Sequence, residues 1–443
     1  MTALRARRFW LRPGSVASAG IPACLILACL LTIFPGDNAH AQATGDMPRA
    51  EYYVARELFR VGRTLEAADG FTLSLNRARR IGEQRWIDSV PSLVMLGECH
   101  YQRGELALAL EHYDNALMLL LANPTWVDQL QLSSEPLPAF DAASKGIQWF
   151  SKSRPMRAAA VPSGVPIADA AQVRSTPQAA VAAASSSAMH LDASEVLRTT
   201  GVALMRRWEA LGPLAKHSPL SGPLEALFTR NSSQQAPWFV ASWRVLQGIS
   251  GLASDAPVDS QQLLRQGALV GNQSDYFLSP LALLVLGKIE MRKANYAAAI
   301  VDYQDASLVA AHFDQHAIAA EAVEQLAACV ASSGHNSTIE PLQRLASWAN
   351  KKSNLLQLSA WLGASELAIY ASDFALADKL LRQCPPLLRN LETALPRVQA
   401  RFLFVNALSA FGQKRGAQGV ASLEQALTIM RGSANTGAAV ASI

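Results

Sequence analysis

The chain has 443 residues, of which half are apolar, 17% charged and 7% aromatic, with a formal net charge of +4. Setting aside residues 1–41, which hold Arg5, Arg7, Arg8 and Arg12 against Asp37 alone, leaves 35 basic and 34 acidic side chains. A chain this close to neutral carries no diffuse field for nucleic acid or anionic lipid, and its Ala- and Leu-rich composition favours helices.

The N-terminus has the layout of a secretory signal. A basic stretch from Arg5 to Arg12 precedes an apolar run from Ile21 to Phe34 and a small-x-small site at Ala39-His40-Ala41. The run is too short for the ~20 residues that span a bilayer, and Pro35-Gly36 closes it, so cleavage after Ala41 and no membrane span in the mature chain are predicted. Export to the periplasm or the extracellular face of the cell envelope follows. The mature part keeps Cys99, Cys329 and Cys384, an odd and widely spaced set that reads as buried small residues rather than a disulfide framework.

Residues 42–132 carry helical pattern, with Gly62, Ala67 and Phe71 near the start. Composition then shifts to Ala, Pro and Ser between 133 and 191, which predicts a disordered linker, with Trp149-Phe150 as an exception expected to dock on a neighbouring element. Helical pattern resumes at residue 192, where Asp192 or Ser194 can cap a new N-terminus and Gly212-Pro213 ends it. Successive segments follow: Trp238 to Ala253, Asp259 to Leu269, Pro280 to Lys293, Tyr296 to Ala311, Ala317 to Ser333 and Ile339 to Lys351. Leu355 to Tyr370, Phe374 to Cys384, Pro396 to Phe411 and Gln418 to Arg431 complete the array, and residues 433–443 read as a flexible tail. No period-2 alternation bounded by hairpin signals is present, so no strands are expected.

The most informative stretch is residues 93–120. Leu93, Leu96 and Gly97 share one helical face, Gly104 sits in a short turn, and Leu106, Ala109, Tyr113 and Ala116 recur at spacings of three and four on the next helix. Residues 283–310 repeat the arrangement with Leu286-Gly287, Tyr296, Ala299, Tyr303 and Ala306. Fainter copies contain Trp361, Ala364, Phe374, Ala377 and Leu381, then Leu403, Ala407, Gly419, Leu423 and Ala426. Small residues at these positions let antiparallel helices approach closely while Leu and Tyr fill the space between pairs.

This pattern resembles the tetratricopeptide repeat family. The resemblance implies an all-α, right-handed superhelical solenoid of antiparallel helix pairs, acting as a protein-binding scaffold or adaptor. A noncatalytic structural spacer, or a sensor module of a larger envelope assembly, is the alternative. It further implies a concave groove lined by the first helix of each pair, onto which Glu98, Tyr101, Gln102, Lys288, Met291 and Arg292 would project. Members that clamp a C-terminal carboxylate carry Lys and Asn on that face. Here the matching places hold Val94 and Glu98 in one copy and Leu284 and Lys288 in the other, which points to an amphipathic helix or extended peptide as the partner.

Chemistry is sparse. His312 and His316 have helical ligand spacing with Asp314 between them, but no third ligand accompanies them and they fall at a helix connection, so no metal is predicted. No phosphate loop, dinucleotide fingerprint, nucleophile elbow or zinc-protease signature is present, and no cofactor or catalytic activity is expected. Arg77, Arg79, Arg80 and Arg85 read as a solvated helix end, and Trp208 beside Arg206 and Arg207 reads as core with flanking charge.

Overall fold

A computed structural model describes residues 46–141, 149–150, 156–167, 189–230, 234–254, 259–271, 273–333, 339–391 and 395–440. The described chain is mostly helical. Its helices are α1 (Ala50–Val61), α2 (Thr64–Arg77), α3 (Val90–Gln102), α4 (Leu106–Ala122), α5 (Ala193–Leu211), α6 (Ser221–Thr229), α7 (Pro237–Gly251) and α8 (Ser260–Gly267). They continue with α9 (Ser279–Arg292), α10 (Tyr296–His312), α11 (His316–Ser333), α12 (Ile339–Ala349), α13 (Asn354–Tyr370), α14 (Phe374–Leu381), α15 (Cys384–Asn390), α16 (Pro396–Gly412) and α17 (Gly416–Val440). Asp192 caps α5 by accepting from the Glu195 amide at 3.0 Å, and Gly212 follows its last turn.

Close packing joins chain neighbours, α1 with α2, α3 with α4, α9 with α10, α10 with α11, and α16 with α17, and α13 packs on both α11 and α12. One turn recurs six times. In each, a small buried residue (Ala55, Gly97, Gly287, Ser307, Ser365 or Ala407) precedes by seven positions a residue with left-handed backbone: Gly62, Gly104, Ala294, Asp314, Ser372 or Lys414. Five positions later stands another small buried residue: Ala67, Ala109, Ala299, Ala319, Ala377 or Gly419. Each turn closes with the same long-range amide bond, as from Glu105 N to His100 O at 2.9 Å and from Asn295 N to Glu290 O at 2.9 Å. That bond satisfies a carbonyl orphaned at the helix end and fixes the angle at which the next helix departs.

Residues far apart in sequence also meet. Arg60 Nη1 donates to Lys352 O at 3.4 Å, Gly62 abuts Leu391, and Ala317 packs against the cluster holding Tyr52 and Phe71. Helix α17 touches α4. Near the start of α5, Glu195 accepts from Tyr52 and from Arg198 at 2.7 Å, and Asp192 accepts from Tyr53 at 2.7 Å, tying α1 to α5. The Arg198 and Arg56 charges outweigh the burial that opposes ionisation and bring Glu195 down to about 2.

Two expectations are corrected here. The described parts of 133–191 are ordered against the helices rather than forming a featureless linker. Strand β4 (Ala139–Asp141) pairs antiparallel with β5 (Arg157–Ala159), and β6 (Val165–Pro166) pairs with β7 (His190–Leu191), which in turn pairs with β1 (Asp46–Met47). Ala158, Val165 and Leu191 are buried, so these short pairs satisfy their backbone while covering helix surface. A further two-residue pair, β2 (Arg80–Ile81) with β3 (Gln84–Arg85), forms the hairpin between α2 and α3. Trp149 docks as expected: its Nε1 donates to Ser307 Oγ at 3.2 Å and its ring meets Trp348 at 5.0 Å. Residues 142–148, 151–155 and 168–188 of that stretch, and the whole of 1–45, lie outside the described residues. The second correction concerns the tail, because helix α17 continues through 433–440 on an Ala-rich stretch without proline.

Candidate functional site

The six residues expected to line an open groove do not share one environment. Glu98 and Gln102 are buried, Lys288 is nearly so, and Tyr101 and Met291 are half-covered, the latter against the main core. Only Arg292 is exposed, with its guanidinium over the Trp208 ring at 3.8 Å. The structure therefore corrects the groove: Glu98, Tyr101 and Lys288 are enclosed by side chains of this same chain.

The enclosing centre is Arg206 on α5, whose side chain is 1% exposed. Its Nε donates to Glu98 Oε1 at 2.9 Å and its Nη2 to Glu98 Oε2 at 3.3 Å. Nη2 also pairs with Glu321 Oε2 of α11 at 2.7 Å, and Nη1 donates to Glu209 Oε2 at 3.0 Å. Lys288 of α9 donates to both Glu209 and Glu321. The Arg206 guanidinium lies 4.0 Å from the centre of the Tyr101 ring, and Arg397 of α16 lies 4.9 Å from the same ring. Arg397 pairs with Glu324 at 3.4 Å; Arg401 pairs with Glu324 at 3.0 Å and with Glu366 of α13 at 3.4 Å.

Five helices from α3 to α16 thus converge on one chain of charges, and α13 extends it. Burial opposes ionisation of Glu321, but Arg206 and then Lys288 outweigh it and hold the carboxyl well below the usual range. The reverse pairing keeps Arg206 and Lys288 protonated despite the desolvation that works against them. Burial and the neighbouring Glu98 carboxylate push the Tyr113 hydroxyl far up, so it stays a donor to Glu98 at 2.6 Å. Guanidinium suits the centre because its planar fork reaches three carboxylates at once, which a single ammonium cannot do.

Chemically the network is paired internally. Glu98, Glu209 and Glu321 are answered by Arg206 and Lys288, with Arg397 nearby over Tyr101. Such an arrangement holds helices in register.

The other sequence candidates separate. His312 ends α10 and His316 begins α11, so the left-handed backbone at Asp314 removes the shared helical face that their spacing suggested. No group of three metal-ligating side chains is present among the described residues. Cys99, Cys329 and Cys384 are free and buried. Arg77 pairs with Glu51, Arg85 donates to Leu75 O, and Arg79 lies over Trp86 at 5.2 Å, so these three are engaged locally. Sequence reasoning passed over Arg206 as a flanking charge. Its burial had no local signal, since its buried partners Glu98 and Glu321 lie more than a hundred residues away on either side.

No helix among the described residues is long and apolar enough to cross a membrane. No protein-family model matches the chain, and no curated protein matches it in sequence.

Proposed function

We propose that the helix pairs form a right-handed, tetratricopeptide-like solenoid of about one superhelical turn that serves as a protein-binding scaffold in the cell envelope. The recurring turn, with its paired small residues, carries this reading. Six copies of one departure angle make each helix pair stack on the next, and such stacks offer long surfaces suited to peptides and proteins. Contacts of α1 and its following turn with Lys352 and Leu391 support the closure of one turn, and the Arg206 network fills its axis. Recognition then belongs to the outer surface, where the second helix α4 displays Leu106 and Met118 to solvent. The signal-like N-terminus supports export, and the mature chain is expected to bind neither nucleic acid nor lipid.

Site-specific photocrosslinking in intact cells tests the proposal. A photoreactive residue at Leu106 or Met118 should capture one discrete protein of another kind, and the same residue at buried Ala109 should not. Absence of any position-dependent heterologous product would replace the scaffold with the spacer reading. N-terminal sequencing of the exported form, expected to begin at Gln42, tests the envelope assignment separately.

A further inference from the structure

The last helix pair carries an apolar face that nothing among the described residues covers. Gly419, Ser422 and Ala426 turn the buried side of α17 toward α16. Its other side exposes Val420, Leu427 and Met430 by 49%, 55% and 45%, beside half-buried Leu423. Phe404 and Phe411 of α16 add 44% and 40% exposed rings.

The equivalent face is covered within the array. Aligning the turns places Leu423, Leu427 and Met430 on Tyr303, Ser307 and Ala310 of α10, all buried, with Tyr303 against Gly287 of α9 and Ser307 bonded to the Trp149 indole. Positions that other parts of the chain cover on α10 are therefore left open on α17.

Val420, Leu423, Leu427 and Met430 follow one another at spacings of three, four and three, the seam of two helices wound together. Glu424 and Arg431 stand one position beyond Leu423 and Met430, and neither forms an ion pair among the described residues. If two copies of α17 run antiparallel with Leu427 of one opposite Met430 of the other, Glu424 of each comes beside Arg431 of its mate, twice over. A parallel alignment would set both charges against Gly419 and Ala426 instead, which offer no counter-charge. The charge pattern is thus complementary to itself under a two-fold axis and only in that orientation.

We infer that this face binds a second copy of the same chain, forming a two-fold dimer through antiparallel α17 helices with Phe404 and Phe411 at the flanks. The inference does not depend on which protein the outer surface binds, and it is read on purified protein alone.

Sedimentation velocity of the mature chain, residues 42–443, between about 1 and 100 μM should show a dimer at the physiological salt where such interfaces hold. Leu427→Glu should leave a monomer with an unchanged helical circular dichroism spectrum and melting curve. Glu424→Arg and Arg431→Glu should each weaken dimerisation roughly tenfold by opposing like charges. The double variant Glu424→Arg/Arg431→Glu should restore it, because the swap re-creates both pairs. A wild-type monomer at 100 μM, a dimer indifferent to Leu427→Glu, or a double variant as weak as the single ones would each overturn the inference.

Discussion

The ring of Tyr113 rests against the backbone of Gly97 so closely that a methyl group added there would meet Cε1 at 2.5 Å and Cδ1 at 2.8 Å. Tyr303 meets Gly287 in the same way, at 2.5 Å and 2.7 Å. The two rings differ in freedom. Tyr113 is tied through its hydroxyl to Glu98 at 2.6 Å, whereas the buried Tyr303 hydroxyl has no hydrogen-bond partner among the described residues. Gly97→Ala should therefore cost about 2–3 kcal/mol, within the range of core overpacking, and Gly287→Ala measurably less. Urea denaturation of both variants checks the order, and Gly97→Ala/Tyr113→Leu should recover part of the loss. Equal effects would mean that the hydroxyl bond does not anchor the ring.

Arg206→Met leaves Glu98 and Glu321 buried without their principal counter-charge, an arrangement that costs about 3–5 kcal/mol. Arg206→Lys should recover less than half of this, because one ammonium cannot serve three carboxylates. The pH dependence has a defined sign. In the wild type, Glu321 ionises more readily folded than unfolded, so its contribution is complete above the unfolded carboxylate range and is lost as pH falls below about 4.5. In Arg206→Met the largest charge that lowers Glu321 is gone, and burial is opposed by Lys288 and Arg397 alone. The deficit of the variant should accordingly be largest near pH 7 and shrink toward pH 3, measured by melting at each pH.

Local order was legible in the sequence and long-range packing was not. Small residues at Gly97, Ala109, Gly287 and Ala299 announce close helix approach because the constraint acts within thirty residues of chain. The same signature at Ser307, Asp314 and Ala319 went unseen because it contains no glycine; only the backbone angle of 56° at Asp314 reveals it. Lys288 and Glu98 were expected to line an open groove, yet their side chains meet other parts of the chain rather than solvent. Pairing across Glu98, Arg206 and Glu321 joins helices more than a hundred residues apart, which no local pattern encodes. The strand pairs around Ala158 and Leu191 escaped because two- or three-residue strands show no measurable alternation.

Four of the six repeated turns place a side chain where glycine is at ease: Ala294, Asp314, Ser372 and Lys414 have positive φ between 56° and 62°. Left-handed backbone costs an ordinary residue roughly 1–2 kcal/mol, partly offset by the greater entropy glycine loses on folding. Ala294 and Lys414 are exposed, so removing their side chains sacrifices no packing. Ala294→Gly and Lys414→Gly should each stabilise the protein by about 0.5–1 kcal/mol, while Gly104→Ala, at a φ of 78°, should destabilise it by a similar amount. Thermal melting of the three variants decides the matter. Stabilisation by Gly104→Ala would contradict the left-handed assignment of this turn.

His316 sits at the start of α11, neither ring nitrogen hydrogen-bonded among the described residues, its ring 6.1 Å from that of Trp348. Burial, and then the Arg60 charge, lower its pKa from 6.5 to about 4; Asp314 at 3.9 Å opposes this and Lys352 adds to it. The folded state thus favours neutral imidazole, so the stabilisation is present above pH 6.5 and is lost as pH falls from 6.5 toward 4. The loss amounts to about 3 kcal/mol by pH 4. Protonation adds a third positive charge beside Arg60 and Lys352, the side chain and the carbonyl that join α1 to the α12–α13 turn. Acid should therefore loosen the first helix pair before the rest, seen as faster amide hydrogen exchange in residues 50–77 at pH 4.5 than at pH 7 after correction for intrinsic rates. His316→Leu should abolish that pH dependence without slowing the exchange of α16 and α17. Persistence of the acid-induced loosening in His316→Leu would assign it to another group.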